Sequence, residues 1–436
     1  MAARLASPLH WVVTLLLSGF LLSTSIAQAL ENQRVLWAGY ACFGLMAAIV
    51  VAKLIRGGVV FAPEVALYWV FVAWSVATGL VVHIDSTLFF NGVERVVQVG
   101  ILMSVVAAYT ASARSPEAAF LAQLVLALVL VGYGFVSGDF SMATEMTERG
   151  NRVVGTRAAS LTSNANSLGM ICFWAITSLA LAGAPARRRP LRIAAMILVV
   201  PLLAGLTLSA SRKAFLIVFV FAVAWLWFCY RRFLLRNVRV FIGVAILMVV
   251  GYLFARFALE GTMLGHRLST AAAATGERDA STASRLFFYV DGLQILASRP
   301  LTGVGLSQFQ AHSEFGLYAH SQYMEILANT GPVGALLYFT TYVLAWRRLA
   351  YVYARAPDPQ MRYLAGLCLA VLFSYVIVGF VLVQYTSFGS IALFGSLVGF
   401  SYGAARRIRT QAPPLTGGMP YPRPLAYTGR RRVPAC

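Results

Sequence analysis

Residues 193–230 read IAAMILVVPLLAGLTLSASRKAFLIVFVFAVAWLWFCY. Two apolar runs flank one polar turn that contains Ser209, Ser211, Arg212 and Lys213. Each run approaches the ~20 residues an α-helix needs to cross a hydrocarbon core. A bilayer offers the backbone no water, so such a run must close its hydrogen bonds within itself, as a helix. Arg187, Arg188, Arg189 and Arg192 precede the pair, and Arg231 and Arg232 follow it. The stretch reads as a membrane hairpin with positive charge at its open end.

The pattern extends outward in both directions. Apolar blocks also lie near 11–30, 35–55, 63–83, 94–112, 117–136, 165–184, 239–258, 322–345, 363–384 and 386–404. With the central hairpin they amount to about twelve spans of bilayer length. Composition agrees: the 436 residues are 59% hydrophobic and 11% charged, with a mean hydropathy of +0.75. A soluble domain carries about a quarter charged residues. The expected fold class is therefore an all-α integral membrane protein. The first block ends in Ala27-Gln28-Ala29, which mimics a signal cleavage site. It is longer than a signal core, and it is read as an uncleaved first helix.

The net charge of +20 does not point to nucleic acid, because the cations sit in short clusters between apolar blocks. Lys53 and Arg56, Arg114, the Arg187–Arg192 group, Arg231 to Arg236, Arg347 to Arg355 and Arg406 onward alternate as cytoplasmic loops. Both termini are then cytoplasmic. The expected membrane domain covers 1–409, and 410–436 forms a disordered cytoplasmic tail. Cys42, Cys172, Cys229 and Cys368 fall inside apolar blocks and Cys436 is last; no CxxC spacing occurs. Neither a zinc site nor a disulfide frame is expected.

Two longer segments, about 137–164 and 260–320, then face the opposite side. Long loops of this kind are functional or disordered. Within the second, Leu286, Tyr289, Val290, Leu293, Ile295 and Leu296 are spaced for an amphipathic helix at the membrane surface. This outer side should be poor in arginine, yet Arg149, Arg152, Arg157, Arg212, Lys213, Arg267, Arg278, Arg285 and Arg299 map to it. A guanidinium near a membrane needs an anion to offset its desolvation. Its planar fork also matches phosphate oxygens. His320 sits where the second segment re-enters the membrane, and imidazole is the side chain best suited to take a proton near neutral pH.

Five stretches carry a family likeness: Arg152-Val153-Val154-Gly155 with Asn164-Ala165-Asn166; Ser211-Arg212; Ser284-Arg285; Pro300 through Gly305; and His320-Ser321-Gln322 with Gly331 and Gly334. In this order the chain resembles the O-antigen ligase and polymerase superfamily, and the ligases most. It departs from the usual pattern at Ser321 and Ala165, neither a catalytic group. The resemblance implies a membrane-embedded glycosyltransferase of the C type (GT-C) in the bacterial inner membrane, with its site facing the periplasm. The implied partners are an undecaprenyl-pyrophosphate-linked glycan donor, a lipid A–core acceptor and membrane lipids. His320 is the expected general base. Arg212 and Arg285 are expected to bind pyrophosphate and stabilise its departure. Arg152, Arg157, Lys213, Arg267, Gln308 and Gln322 are assigned to substrate binding. No acidic cluster suited to a metal stands on the outer side, so no cofactor is expected. The rival within the family is polymerisation of O-antigen units. A rival of another class is a transporter or flippase, which would show inverted repeats and ionisable groups near mid-membrane.

Overall fold

The computed structural model describes residues 8–57, 61–138, 140–146, 152–162, 164–237 and 280–411, with 239, 242, 243, 246 and 253. Helices dominate: α1 (Pro8–Leu30), α2 (Gln33–Ile55), α3 (Pro63–Val82), α4 (Ser86–Ala113), α5 (Glu117–Ser137), α6 (Ala165–Leu179) and α7 (Arg189–Leu208). They continue as α8 (Arg212–Arg236), α9 (Ala280–Ser298), α10 (Gln322–Arg355), α11 (Pro359–Val378) and α12 (Phe388–Gln411). A 3-10 turn, Ala180–Gly183, extends α6. The helix starts follow local chemistry. Asn32, Asp85, Asn164 and Asp358 accept backbone N–H groups at the starts of α2, α4, α6 and α11.

Ten of the described helices are long and apolar enough to cross a membrane. The all-helical membrane class read from composition holds. Two of the expected spans are not among the ten. Most of 239–258 lies outside the described residues, and α10 is a longer, more polar helix broken at Gly331. One departure from helix was not expected. β1 (Phe140–Met146) and β2 (Arg152–Ala158) form an antiparallel hairpin, with Met146 opposite Arg152 and Ser141 opposite Arg157. The proposed disordered tail lies outside the described residues, apart from its first two positions, which end α12.

The centre of the bundle is α12. Of its most apolar stretch 89% is buried, against 17% for α2 and α7, which turn their faces outward. Gly395, Gly399 and Gly403 make this possible. A Cβ at Gly399 would stand 2.2 Å from the Ala107 carbonyl oxygen, and one at Gly403 2.3 Å from that of Ala111. Small residues four apart let two helix backbones touch, the usual route to tight packing where lipid supplies no hydrophobic drive between helices.

The arginine-rich end is closed by ion pairs. Arg348 on α10 donates to Glu64 at 2.8 Å, and Arg187 reaches Glu117 at 2.5 Å. Both glutamates are buried in the first turns of α3 and α5, where a negative charge also suits the helix dipole.

Candidate functional site

The opposite end of the bundle holds the α1–α2, α3–α4 and α7–α8 turns, the hairpin and the stretch 299–321. Its geometry begins at the break in α10. Gly331 has φ 69° and ψ 178°, and a Cβ there would stand 2.1 Å from the Leu301 carbonyl oxygen. A Cβ on Gly303, at φ +67°, would stand 2.5 to 2.6 Å from the backbone of Asn329, Ala328 and Gly331. Only glycine meets both demands, a left-handed backbone and no side chain. Val304 and Gly305 then donate to the carbonyls of Ala328 and Asn329, at 3.0 and 2.8 Å. The Pro300–Gly305 motif is thus a backbone buttress for the broken helix.

The same buttress positions His320. Asn329 accepts from the Phe309 N–H at 2.8 Å and donates to Glu325 at 3.1 Å. Glu325 in turn accepts the Ala319 N–H at 2.8 Å. The residue before the histidine is therefore tied to the first turn of α10. Burial, with the Glu325 carboxylate nearby, holds the Tyr385 hydroxyl well above the usual tyrosine range, so it stays a neutral phenol. His320 itself has φ 53°, an uncommon backbone for a residue with a side chain. Its ring lies 4.0 Å from Tyr318 and 5.4 Å from Phe288 of α9, centroid to centroid.

A second strained turn sits across the site. Ala210, between α7 and α8, has φ 49°. Ser209 Oγ donates to Leu206 O at 2.7 Å and accepts from Ser211 N at 3.3 Å, which tightens the turn. Gly169 of α6 lets that helix press on it: a Cβ there would meet Ser209 Oγ at 2.6 Å. Arg212 and Lys213 open α8 from this braced turn.

A cavity of about 1070 Å³ joins these parts. Its walls include His320 and Tyr318, Lys213, and Asn164 and Asn166 from the start of α6. Residues that stand far apart in the chain, from three of the five motif stretches or their immediate neighbours, thus line one chamber. Arg212 is the neighbour of Lys213 on the first turn of α8. Arg285 lies on α9 just under one turn before Phe288, which touches His320. Arg152 and Arg157 stand on β2. Arg267 lies outside the described residues.

Two assignments to substrate binding need revision on geometry. Gln308 is fully buried, and its amide oxygen accepts from Ile84 N and Asp85 N, both at 2.9 Å, while its nitrogen donates to Asp85 O at 2.8 Å. It clamps the α3–α4 turn. Gln322, also buried, donates to Tyr342 at 2.7 Å and accepts from Gln384 N at 3.0 Å. Neither lines the cavity. Nothing in a one-dimensional motif separates an amide that faces substrate from one that ties two backbones together.

Other residues of the cavity lining were missed. Arg95 and Glu94 of α4, Gln98, Gln123 of α5, and Gln28 and Asn32 near the α1–α2 turn also line the cavity. Arg95 and Glu94 place charge at the start of the apolar block read at 94–112. A signal was present, because an ionisable residue inside a membrane span marks a functional site by default. Glu94 is engaged by Gln98 at 2.7 Å, and Glu31 also lines the cavity. The cavity thus contains carboxylates that the search for a compact acidic motif passed over.

The amphipathic helix is present as α9, but it does more than rest on a surface. Phe288 and Ile295 are buried in a small core with Val304, Phe309 and Met324, while Phe287, Val290 and Leu293 are exposed. One face packs beside α10, and the other remains apolar and open.

No curated protein is significantly similar to the chain in sequence. Among solved structures, a chain from work titled "Structural coordination of polymerization and crosslinking by a peptidoglycan synthase complex" aligns with it. The alignment covers 79% of this chain and 97% of that one, at 15% identity and a TM-score of 0.45, a likeness that carries no functional argument. Residues 197–339, from α7 through the buttress to the upper part of α10, match the family model described as O-antigen ligase.

Proposed function

We propose that the chain is a membrane glycosyltransferase that moves O-antigen from undecaprenyl pyrophosphate to a hydroxyl of lipid A–core, at the periplasmic face of a bacterial inner membrane. The family match supports transfer or polymerisation of O-antigen in general. The observation that carries the finer reading is the shared cavity: His320 and Lys213 line one chamber beside Arg212.

In this reading His320 takes the proton of the acceptor hydroxyl. The freed oxygen attacks the anomeric carbon of the donor sugar. The bond from that carbon to the pyrophosphate oxygen breaks, its electron pair leaves with undecaprenyl pyrophosphate, and the anomeric centre inverts. A positioned base contributes about a hundred- to ten-thousandfold to such a step. Arg212, Lys213 and Arg285 hold the pyrophosphate and offset the charge that grows on it, which is where preorganised donors act most strongly. Arg152 and Arg157 serve donor or acceptor phosphates. The leaving group is already stable as an anion, so the proposed step needs no metal. Lipid substrates reach the cavity from the membrane, which agrees with a bundle whose outer helices expose apolar faces.

The test is reconstitution of the purified chain in liposomes with lipid-linked glycan and rough lipopolysaccharide. Glycan appearing on lipid A–core is the expected result. Growth of longer lipid-linked chains, with no transfer to lipopolysaccharide, would replace ligation by polymerisation.

A further inference from the structure

Arg95 stands nine residues into α4, about 14 Å along the helix axis from its start. A charge at that depth needs a reason. Its Nε donates to the Thr386 carbonyl at 2.8 Å, and its guanidinium lies 4.0 Å from the centre of the Phe388 ring. These contacts fix the plane of the fork. No carboxylate comes within ion-pair distance of it among the described residues, and the two terminal amino groups make no hydrogen bond there. Glu94, its neighbour, is engaged by Gln98.

Gln123 supplies a second, independent sign. It is fully buried on α5, and its Nε2 donates to Gly389 O at 2.9 Å. Its Oε1 has no partner, although it is buried. An orphaned buried acceptor costs about 1–3 kcal/mol. Both side chains line the cavity, and both are anchored on the segment Thr386–Gly389 that leads into α12. That segment anchors a planar cation and a side chain with an unfilled acceptor among the residues that line one chamber.

We propose that Arg95 and Gln123 form a second binding wall in the cavity, which holds a saccharide carrying an anionic group. The open fork takes a phosphate or carboxylate by two parallel bonds, as guanidinium does best. The amide oxygen accepts from a sugar hydroxyl. The cavity, about 1070 Å³, is at the large end of the usual range of ligand pockets. Lys213 and His320, which line the same cavity, are left to the pyrophosphate and the reacting hydroxyl. The assignment of this wall to the acceptor rests on the glycan-transfer reading; the existence of the wall does not.

The experiment measures binding to the purified full chain in detergent. The probes are a phosphorylated core oligosaccharide freed of lipid, the same oligosaccharide after phosphatase treatment, and glycan-free undecaprenyl pyrophosphate. Arg95→Gln should weaken the phosphorylated oligosaccharide about ten- to a hundredfold, the scale of a lost charge-assisted pair. It should leave the other two probes unchanged. Gln123→Leu should weaken both oligosaccharides several-fold and spare the pyrophosphate. Arg95→Lys, which keeps the charge and loses the fork, should lie between wild type and Arg95→Gln, and guards against a folding defect. Loss of undecaprenyl pyrophosphate binding alone in Arg95→Gln would assign the residue to the donor and overturn a separate wall. Unchanged binding of all probes, or no oligosaccharide binding by the wild type, would overturn it too. If the oligosaccharide binds in an Arg95-dependent way while reconstituted chain transfers no glycan, the wall stands and the proposed activity falls.

Discussion

Arg348 and Arg95 both project from long helices inside one bundle, at opposite ends, and they are held in different ways. Arg348 meets the fully buried Glu64 at 2.8 Å and lies 4.9 Å from the Tyr402 ring. Its charge is matched on the spot. Arg95 has an aromatic ring and one carbonyl, but no carboxylate within ion-pair distance among the described residues. The difference shows how a membrane protein separates structure from chemistry. A structural arginine is neutralised by a partner carboxylate, which is stable while both remain. An arginine that must receive an anion is fixed in position and left uncompensated. By this standard the arginine-rich end is a clasp and the cavity end is a receptor.

The sharpest way to break that comparison acts at the receptor end. His320→Gln keeps a polar side chain but offers no base. Turnover should fall by about a hundred- to ten-thousandfold, while thermal stability and donor binding stay near wild type. Wild-type-like turnover by the purified variant would reduce His320 to a structural residue and move the search for a base to Glu325 or a substrate phosphate.

Glu64→Ala probes the clasp. Removing one partner of a buried pair costs about 3–5 kcal/mol, read as a lower unfolding midpoint in detergent. The fraction that remains folded should transfer glycan at the normal rate. A variant of full stability but reduced activity would show that charge at this end also serves the reaction.

Arg212→Lys asks whether the first turn of α8 grips with a fork or merely with charge. Loss of bidentate hydrogen bonding predicts a fall in transfer of about tenfold or more. Near-normal turnover would make Arg212 an orientation anchor, closer in kind to Arg348. The smallest effect is expected from chelation. Transfer should be unchanged by excess chelator, even though Glu31 and Glu94 line the cavity. Activity lost to chelator and restored by a divalent cation would give those carboxylates a role that the proposed mechanism lacks.

Helix class and most helix positions were legible in the sequence because the requirement is local. A bilayer demands a run of apolar residues of set length, and α1 to α8, α11 and α12 fall on the apolar blocks. Half of the candidate site could also be read. His320, Lys213, Asn164 and Asn166 lie in or beside motifs that end in one cavity. Tertiary structure alone decided the rest. Gln308 and Gln322 carry the same functional group as Gln123, yet two bind backbones or a phenol and one presents an empty acceptor. The glycines of Pro300–Gly305 brace a broken helix through contacts with residues about 25 positions away. Arg95 passed unnoticed in an apolar block because its meaning depends on which way α4 is turned and on what α12 places beside it. Sequence alone determined that this chain must live in a membrane and roughly where it crosses. Which polar groups face a partner, a lipid or an open chamber depends on helix rotation and close approach. Those are set by contacts between residues hundreds of positions apart, and local periodicity does not encode them.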